Sequence, residues 1–347
     1  MKRILLIPGD GIGPEVMAHA ESLLHALSQS RGIKFILDKV DWGAERWLKE
    51  RVGIPAGELF AIPKKYDALL FGALGDPRIP DMAHGREILL KLRTGLDLFI
   101  NLRPIKLLSE SLSVLNSRKN IDIIIFRENT QDLYAGAGGA LNLGTDHEVA
   151  IDESIHTYEG VKRIINEAFL YAERTQRSLV TLVDKSNAIR FGGSLWQRVF
   201  KSTAQEFPHI RAEHRFVDVA AMQMVQDPGI FDVVVTSNLF GDILSDLGAG
   251  ITGGLGLAAS ANLNPRGIAL FEPVHGSAPD IAGQDKANPF AMFMTVAMML
   301  DYFGYKQAAN DIENALKNSI EQGNTTPDLG GSLSSRVAAD RIIKQLI

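Results

Sequence analysis

The chain has 347 residues, 46% of them hydrophobic, which is enough for a sizeable core and more naturally for two lobes than for one. Lysine and arginine total 36 against 41 aspartates and glutamates, and the net charge of -5 gives no electrostatic reason to expect nucleic acid or an anionic membrane as partner. There is no cysteine, which excludes disulfides, thiolate nucleophiles and cysteine-held zinc or iron–sulfur sites, so any metal must be bound by oxygen or imidazole.

Ile4 to Ile7 reads as a continuous apolar strand, followed by glycine punctuation and a helical pattern from Pro14 to Leu27, with Pro14 suited to the first turn. The apolar run breaks at Pro8 and Gly9, too early for a signal sequence, and Phe290 to Leu300 is too short to span a bilayer. A cytoplasmic protein is therefore expected. Gly9-Asp10-Gly11-Ile12-Gly13 sits where a dinucleotide fingerprint would, but Pro14 stands where the third glycine is needed, and alone the loop suits a tight turn better than a cofactor site.

Strand and loop units recur at Ala68–Phe71, Ile121–Phe126, Leu179–Val183 and Val233–Thr236, each nearly all apolar, as for strands covered on both faces by helices. Between them, Ala135 to Asp152 is rich in glycine and then alternates, which predicts a projecting hairpin-like arm, a candidate for exchange with a second subunit. No repeat or low-complexity tract is visible.

Four constellations could carry chemistry. Asp242 and Asp246 are four apart, which on a helix puts both carboxylates on one face, where they repel unless a cation such as Mg2+ or Mn2+ lies between them. A solvated face with two acids is the alternative. Gly241 and Gly248 and the strand just upstream favour a cleft, and Asp218, in an apolar stretch, could add a third oxygen. Arg93, Arg103 and Arg127 form a second set; Arg127 ends an apolar strand, where an isolated guanidinium is costly unless an anion meets it, either a ligand carboxylate or a protein acid. Lys185, at the end of another strand, is a candidate base or proton relay against the alternative of a surface lysine, and Tyr134 a candidate acid or an interface aromatic. Last, the loop from Glu272 to Gly283, closing at Asn288-Pro289, has the prolines and glycines of a fixed irregular loop together with His275, Ser277 and Asp280.

Along almost its whole length the chain resembles the isocitrate, isopropylmalate and tartrate/D-malate dehydrogenase family. The resemblance is carried by GDGIGPE, LRTGLDLFINLRP, RENTQDLYAG, VDKSN, NLFGDILSDLGAGITGGLGLAAS and EPVHGSAPDIAGQDKANP, in the family's order. It implies a two-lobed open α/β sheet that is not a true Rossmann fold, with a cofactor lobe from 1–98 and 250–347 and a substrate, metal and dimerisation lobe from 99–249. It further implies that Arg93, Arg103 and Arg127 grip substrate carboxylates, that Asp218, Asp242 and Asp246 hold Mg2+ or Mn2+, and that Lys185 and Asp218 reach a site in the partner of a homodimer. Lys185 and Tyr134 would be the catalytic base and acid. Ile12, His275, Gly276, Ser277, Ala278, Asp280, Ile281 and Asn288 would bind NAD, since an acid at Asp280 repels a 2′-phosphate, and members preferring NADP tend to carry lysine and tyrosine at positions 280 and 281.

The implied reaction is NAD-dependent oxidative decarboxylation of a 3-substituted malate. Leu89 and Leu90 match the pair that contacts the alkyl group in isopropylmalate dehydrogenases, which points to 3-isopropylmalate and leucine biosynthesis. D-malate or tartrate is the first alternative, because Leu89-Leu90-Lys91 and the arm also resemble that branch. A homoisocitrate-like acid is the second, because Arg86 stands where typical isopropylmalate dehydrogenases carry a glutamate; Arg86 could equally face solvent. A non-catalytic regulatory paralogue is disfavoured by the complete set of arginines, aspartates, Tyr134 and Lys185.

Overall fold

The computed structural model describes residues 1–115 and 120–347, and these divide into two compact units. The first comprises Met1–Leu98, Leu107–Asn116 and Ala249–Ile347, the second Phe99–Lys106 and Ser117–Gly248. The strands are β1 Lys2–Gly9, β2 Phe35–Lys39, β3 Ala68–Ala73, β4 Ile100–Lys106, β5 Asp122–Glu128, β6 Gly138–Leu141, β7 Val149–Asp152, β8 Leu179–Asp184, β9 Arg211–Phe216, β10 Val233–Thr236, β11 Ala259–Leu263 and β12 Ala269–Pro273.

In the first unit the strand order is β2-β1-β3-β12-β11. The pairings among β2, β1, β3 and β12 are parallel, and β11 returns antiparallel to β12. Strands β3 and β12 are buried throughout, which is why β3 is apolar without alternation and the one charge in β12, Glu272, is paired with Arg93. The helix Phe290–Tyr302 is apolar nearly all round because almost every residue in it is buried, whereas Gly13–Arg31 buries one stripe, from Val16 to Leu27, and stops at Gly32 with φ +67°.

In the second unit the order is β4-β5-β10-β8-β9, with β4 antiparallel to β5 and the rest parallel. Helices Tyr158–Arg174, Arg190–Ala204, Val217–Gln226 and one beginning at Asn238 and running to Thr252 accompany them. Thr157 caps the first of these, its hydroxyl accepting from the Gly160 N–H at 3.1 Å. β6 and β7 form an antiparallel hairpin in which every residue is exposed.

The segment before Arg93 is not a plain α-helix. Ala83–Gly85 and Lys91–Gly95 are α-helical, but Arg86–Leu90 between them is a π turn in which the Lys91 N–H reaches back five residues to the Arg86 carbonyl. Strands β2, β4, β9, β11 and β12 were not expected from the sequence. β2 and β9 are half-exposed edges with mixed composition, β4 carries Arg103 and Pro104, and the apolar runs of β11 and β12 are interrupted by Ser260, Asn262 and Glu272. No helix among the described residues is long and apolar enough to cross a membrane.

Candidate active site

In the second unit the register of β4 against β5 brings the charged groups together. Asn101 lies opposite Arg127, and Asn101, Arg103 and Ile105 alternate onto one face of β4, so both arginines share that face. The helix beginning at Asn238 lies directly against it. A Cβ at Gly241 would stand 2.6 Å from Cβ and Cγ of Arg127, and one at Gly248 would stand 2.2 Å from Cδ1 of Ile105. These glycines thus allow close helix–strand packing, which is what sets Asp242, Ser245 and Asp246 beside the guanidinium groups; they do not themselves mark a cleft.

Arg127 is 1% exposed. Its Nε donates to Asn238 Oδ1 at 2.9 Å and its Nη1 to Asp242 Oδ1 at 2.5 Å. Arg103 donates from Nε to Asn101 Oδ1 at 2.7 Å and from Nη1 to Ser245 Oγ at 2.6 Å, with Asp242 Oδ1 at 3.2 Å and Asp246 Oδ1 at 3.3 Å. The Tyr134 hydroxyl donates to Asp242 Oδ2 at 2.6 Å, and the Arg127 guanidinium lies over the Tyr134 ring at 5.1 Å. The carboxyl of Asp246 is pushed above its ordinary range, first by burial and further by Asp242, while Arg103 and Arg127 oppose the rise. Two carboxylates in mutual repulsion, with hard oxygen donors, fit a divalent ion such as Mg2+ or Mn2+.

Asp218 lies elsewhere in the arrangement. Among the described residues no third acid or histidine joins Asp242 and Asp246 as a metal-binding group. Asp218 stands in the first turn of Val217–Gln226 and accepts from Lys185 Nζ at 2.7 Å, and that bond above all holds its carboxyl below the usual range. Lys185 lines a concavity with His156, Asp184, Trp196, Ser237 and Phe240.

In the first unit Arg93 is buried and donates to Glu272 Oε1 at 2.8 Å, an oxygen that Asn262 Nδ2 also reaches at 2.8 Å. Arg93 Nε is buried without a hydrogen-bond partner, so part of the guanidinium is left for a further anion. Leu89 and Leu90, just before it, are half-buried. Arg86 is exposed and bonds Asp81 through its carbonyl at 2.7 Å and its carboxylate at 3.4 Å.

The two loops read as cofactor candidates pack on each other. The Ile12 N–H donates to the Ser277 carbonyl at 2.8 Å, and Gly11, with φ +57°, has no room for a Cβ, which would meet that carbonyl oxygen at 2.0 Å. His275 Nε2 is buried with no partner, Nδ1 is 3.0 Å from the Gly276 carbonyl, and burial holds the imidazole below its ordinary pKa. Gly276 and Asp280 are exposed, and Ile281 is half-buried, its N–H closing a turn onto Ala278. A rigid loop pair offering a neutral imidazole nitrogen and an exposed acid fits a dinucleotide. Asn288 has a structural duty as well, accepting from the Phe290 N–H and donating to Asp328, each at 2.9 Å.

Comparison with known proteins decides what this arrangement belongs to. The profile of the family described as isocitrate/isopropylmalate dehydrogenase matches residues 3–346. The chain belongs to that family. It is 47% identical over 320 residues to the 3-isopropylmalate dehydrogenase of Frankia casuarinae, covering 92% of each chain. It is 44% identical to the protein of the same name from Streptomyces griseus, covering 97% of this chain and 98% of that one. Among solved structures, isocitrate dehydrogenase from Methylococcus capsulatus superposes with a TM-score of 0.91 at 38% identity, covering 100% of this chain and 99% of the other. The fold is thus that of the isocitrate dehydrogenases, and the chain is a decarboxylating dehydrogenase.

Two residues that hold these segments in place were not singled out from sequence. Glu272 was seen only as the start of a loop, although it is the buried partner of Arg93. Asp10 was read as part of a turn. Its carboxylate in fact ties four segments together, accepting from the Ala44 N–H at 2.6 Å and the Gly75 N–H at 3.0 Å and lying 3.0 Å from His84 Nε2. An aspartate flanked by two glycines with positive φ was the available signal, since such a loop needs a polar hub to stay fixed.

Proposed function

We propose that the protein is a cytoplasmic, homodimeric 3-isopropylmalate dehydrogenase, converting 3-isopropylmalate and NAD to 4-methyl-2-oxopentanoate, CO2 and NADH in leucine biosynthesis. The observation that carries this reading is the convergence of Arg103, Arg127 and Tyr134 on Asp242, in a chain whose relatives of that name reach 47% identity. The half-buried Leu89 and Leu90 supply the apolar surface an isopropyl group needs, and Arg86 is occupied with Asp81, which supports the alkyl reading over an acidic substituent.

Arg93, Arg103 and Arg127 hold the two substrate carboxylates, as the planar guanidinium geometry favours. Asp242 and Asp246, with Asp218 as third donor from the partner subunit, would bind Mg2+ or Mn2+, which supplies Lewis-acid stabilisation of negative charge developing on the hydroxyl oxygen. Lys185, released from Asp218 once that carboxylate turns to the metal, would take the proton from that hydroxyl, and NAD would supply the hydride acceptor. After CO2 departs, Tyr134 gives its phenolic proton to the enolate carbon. The loop from His275 to Ile281, with Ile12 and Asn288, receives NAD, and Asp280 binds the adenosine ribose.

The test is NADH formation at fixed Mg2+ and NAD with 3-isopropylmalate, D-malate, L-tartrate, isocitrate and homoisocitrate. The expected result is a kcat/KM for 3-isopropylmalate about a hundredfold above the others, the discrimination that two or more buried methyl groups can supply. A preference for D-malate or an acidic homologue would overturn the substrate and keep the reaction class.

A further inference from the structure

Asp132 has φ +66° and ψ -152°, a region of backbone space that is essentially reserved for glycine and that persists in another residue only where the surroundings over-determine it. A glycine would adopt this geometry without strain, so what the position adds is a carboxylate, which is buried, the side chain being 7% exposed, and engaged through both oxygens. Its Oδ2 accepts from the Leu239 N–H at 3.0 Å, in the first turn of the helix that carries Asp242. Its Oδ1 accepts from the Ser154 hydroxyl, and its own backbone N–H donates to the Ile155 carbonyl at 2.8 Å.

The chain of bonds behind Ser154 has one possible direction. Trp196 Nε1 can only donate, and it is 3.2 Å from His156 Nδ1, so that nitrogen is the acceptor. Burial holds His156 below its ordinary pKa and hence neutral, so its proton sits on Nε2, which is 2.8 Å from Ser154 Oγ. Ser154, accepting there, sends its own proton to Asp132. A run of donors thus ends on one carboxylate and locks its rotamer.

That carboxylate governs both ends of a contact in the proposed chemistry. Two residues on, Tyr134 lies in a short turn closed by the Ala135 N–H on the Asp132 carbonyl at 3.2 Å, and its hydroxyl bonds Asp242 Oδ2 at 2.6 Å. At the other end, Asp132 caps the backbone from which Asp242 projects one turn later, where a negative charge also favours the helix N-terminus. We propose that Asp132, held by the Trp196–His156–Ser154 relay, is the positioning residue that fixes the Tyr134 hydroxyl against Asp242. The catalytic part of this rests on the function proposed above; the geometric part does not.

The experiment compares Asp132→Asn, Ser154→Ala, Tyr134→Phe and the double variant Asp132→Asn/Tyr134→Phe in kcat, KM for both substrates and Tm, with a crystal structure of Asp132→Asn. Displacement of an acid by about 1 Å costs on the order of a hundredfold in rate, so Asp132→Asn should lower kcat by 10- to 100-fold with the KM for NAD unchanged, and Ser154→Ala should do so more mildly. Because Asp132 acts through Tyr134, adding Asp132→Asn to Tyr134→Phe should cost less than about threefold more. Multiplicative effects in the double variant, or a wild-type kcat in a folded Asp132→Asn protein, would overturn the proposal. If instead the wild type reduces no NAD with any malate, the functional reading fails, and the crystal structure still decides the geometry: a Tyr134 hydroxyl unmoved from Asp242 in Asp132→Asn would overturn the positioning role.

Discussion

Divalent metal should stabilise the fold through Asp242 and Asp246, by an amount that can be worked out beforehand. Burial and the neighbouring charge of Asp242 hold Asp246 in an unfavourable ionisation that Arg103 and Arg127 only partly offset, so a cation meeting both carboxylates binds the native state in preference to the unfolded chain. At a free concentration about 100 times its Kd, such an ion adds roughly 2.7 kcal/mol to stability. In a domain of some 150–250 residues that corresponds to a rise of about 5–11 °C in Tm. Scanning calorimetry in MgCl2 against EDTA, on the wild type and on Asp246→Asn, measures it. The amide keeps the side-chain volume and leaves the Arg127–Asp242 bond in place, so this variant should fold and lose most of the rise. An equal rise in both proteins, or none in the wild type at millimolar Mg2+, would refute the assignment of these two carboxylates.

Three other outcomes are expected. Gly241→Ala would gain about 1 kcal/mol in a free helix, but here the new Cβ meets Arg127 at 2.6 Å, so both Tm and kcat/KM should fall; a higher Tm with unchanged turnover would show that the close approach is unimportant. Exchanging Asp280→Lys together with Ile281→Tyr should raise the ratio of NADP to NAD kcat/KM at least about tenfold, since the 2′-phosphate loses a repelling charge and gains a partner, and an unchanged ratio would remove Asp280 from the ribose site. His19, His156 and His275 are all held below the ordinary histidine pKa by burial, so their contribution to stability is present above the unfolded value near 6.5 and is lost as pH falls through the lower folded values. Urea unfolding should therefore show stability dropping as the pH is taken below 6.5, with a shallower drop in His156→Gln, and an identical slope in that variant would count against its buried neutral state.

How much of this was visible in the sequence depends on whether a residue's surroundings are local. Val233–Thr236 is a strand in the structure with the same bounds that its apolar run predicts, because a strand covered on both faces needs no information from elsewhere. The four-residue spacing of Asp242 and Asp246 likewise gives their common face. The site's other determinants are long-range. That Arg103 and Arg127 converge is fixed by the register of two antiparallel strands, and that Glu272 meets Arg93 joins residues 179 apart in the chain. The π turn at Arg86–Leu90 shifts the register of every residue counted back from Arg93 along an ideal helix, and no composition signal announces it. Asp132 was invisible for the same reason, because its strained backbone is held by Ile155, Ser154 and Leu239, none of them near it in sequence except through the arm between.

Arg103 and Arg127 bring two positive charges, and Asp242 and Asp246 bring two negative ones, in a partly buried cluster where an uncompensated charge is expensive. A divalent cation alone would leave the cluster with an excess of two positive charges, and a malate dianion alone with an excess of two negative ones. Together they restore neutrality, with the cation taking over the aspartates and the released arginines taking the substrate carboxylates. Metal and dicarboxylate should therefore bind with positive coupling, and by linkage each must tighten the other by the same factor. A coupling of about 1.4 kcal/mol, modest for two charge pairs in such surroundings, is a tenfold change in affinity. Titration of Mn2+ followed by electron paramagnetic resonance, with and without saturating 3-isopropylmalate and with the monoester as control, reads that factor without turnover. The dianion should lower the Mn2+ Kd at least about tenfold and the monoester much less. Equal Kd values in the three conditions would mean that the arginines keep their aspartate partners throughout, and that the carboxylates of the substrate are bound elsewhere.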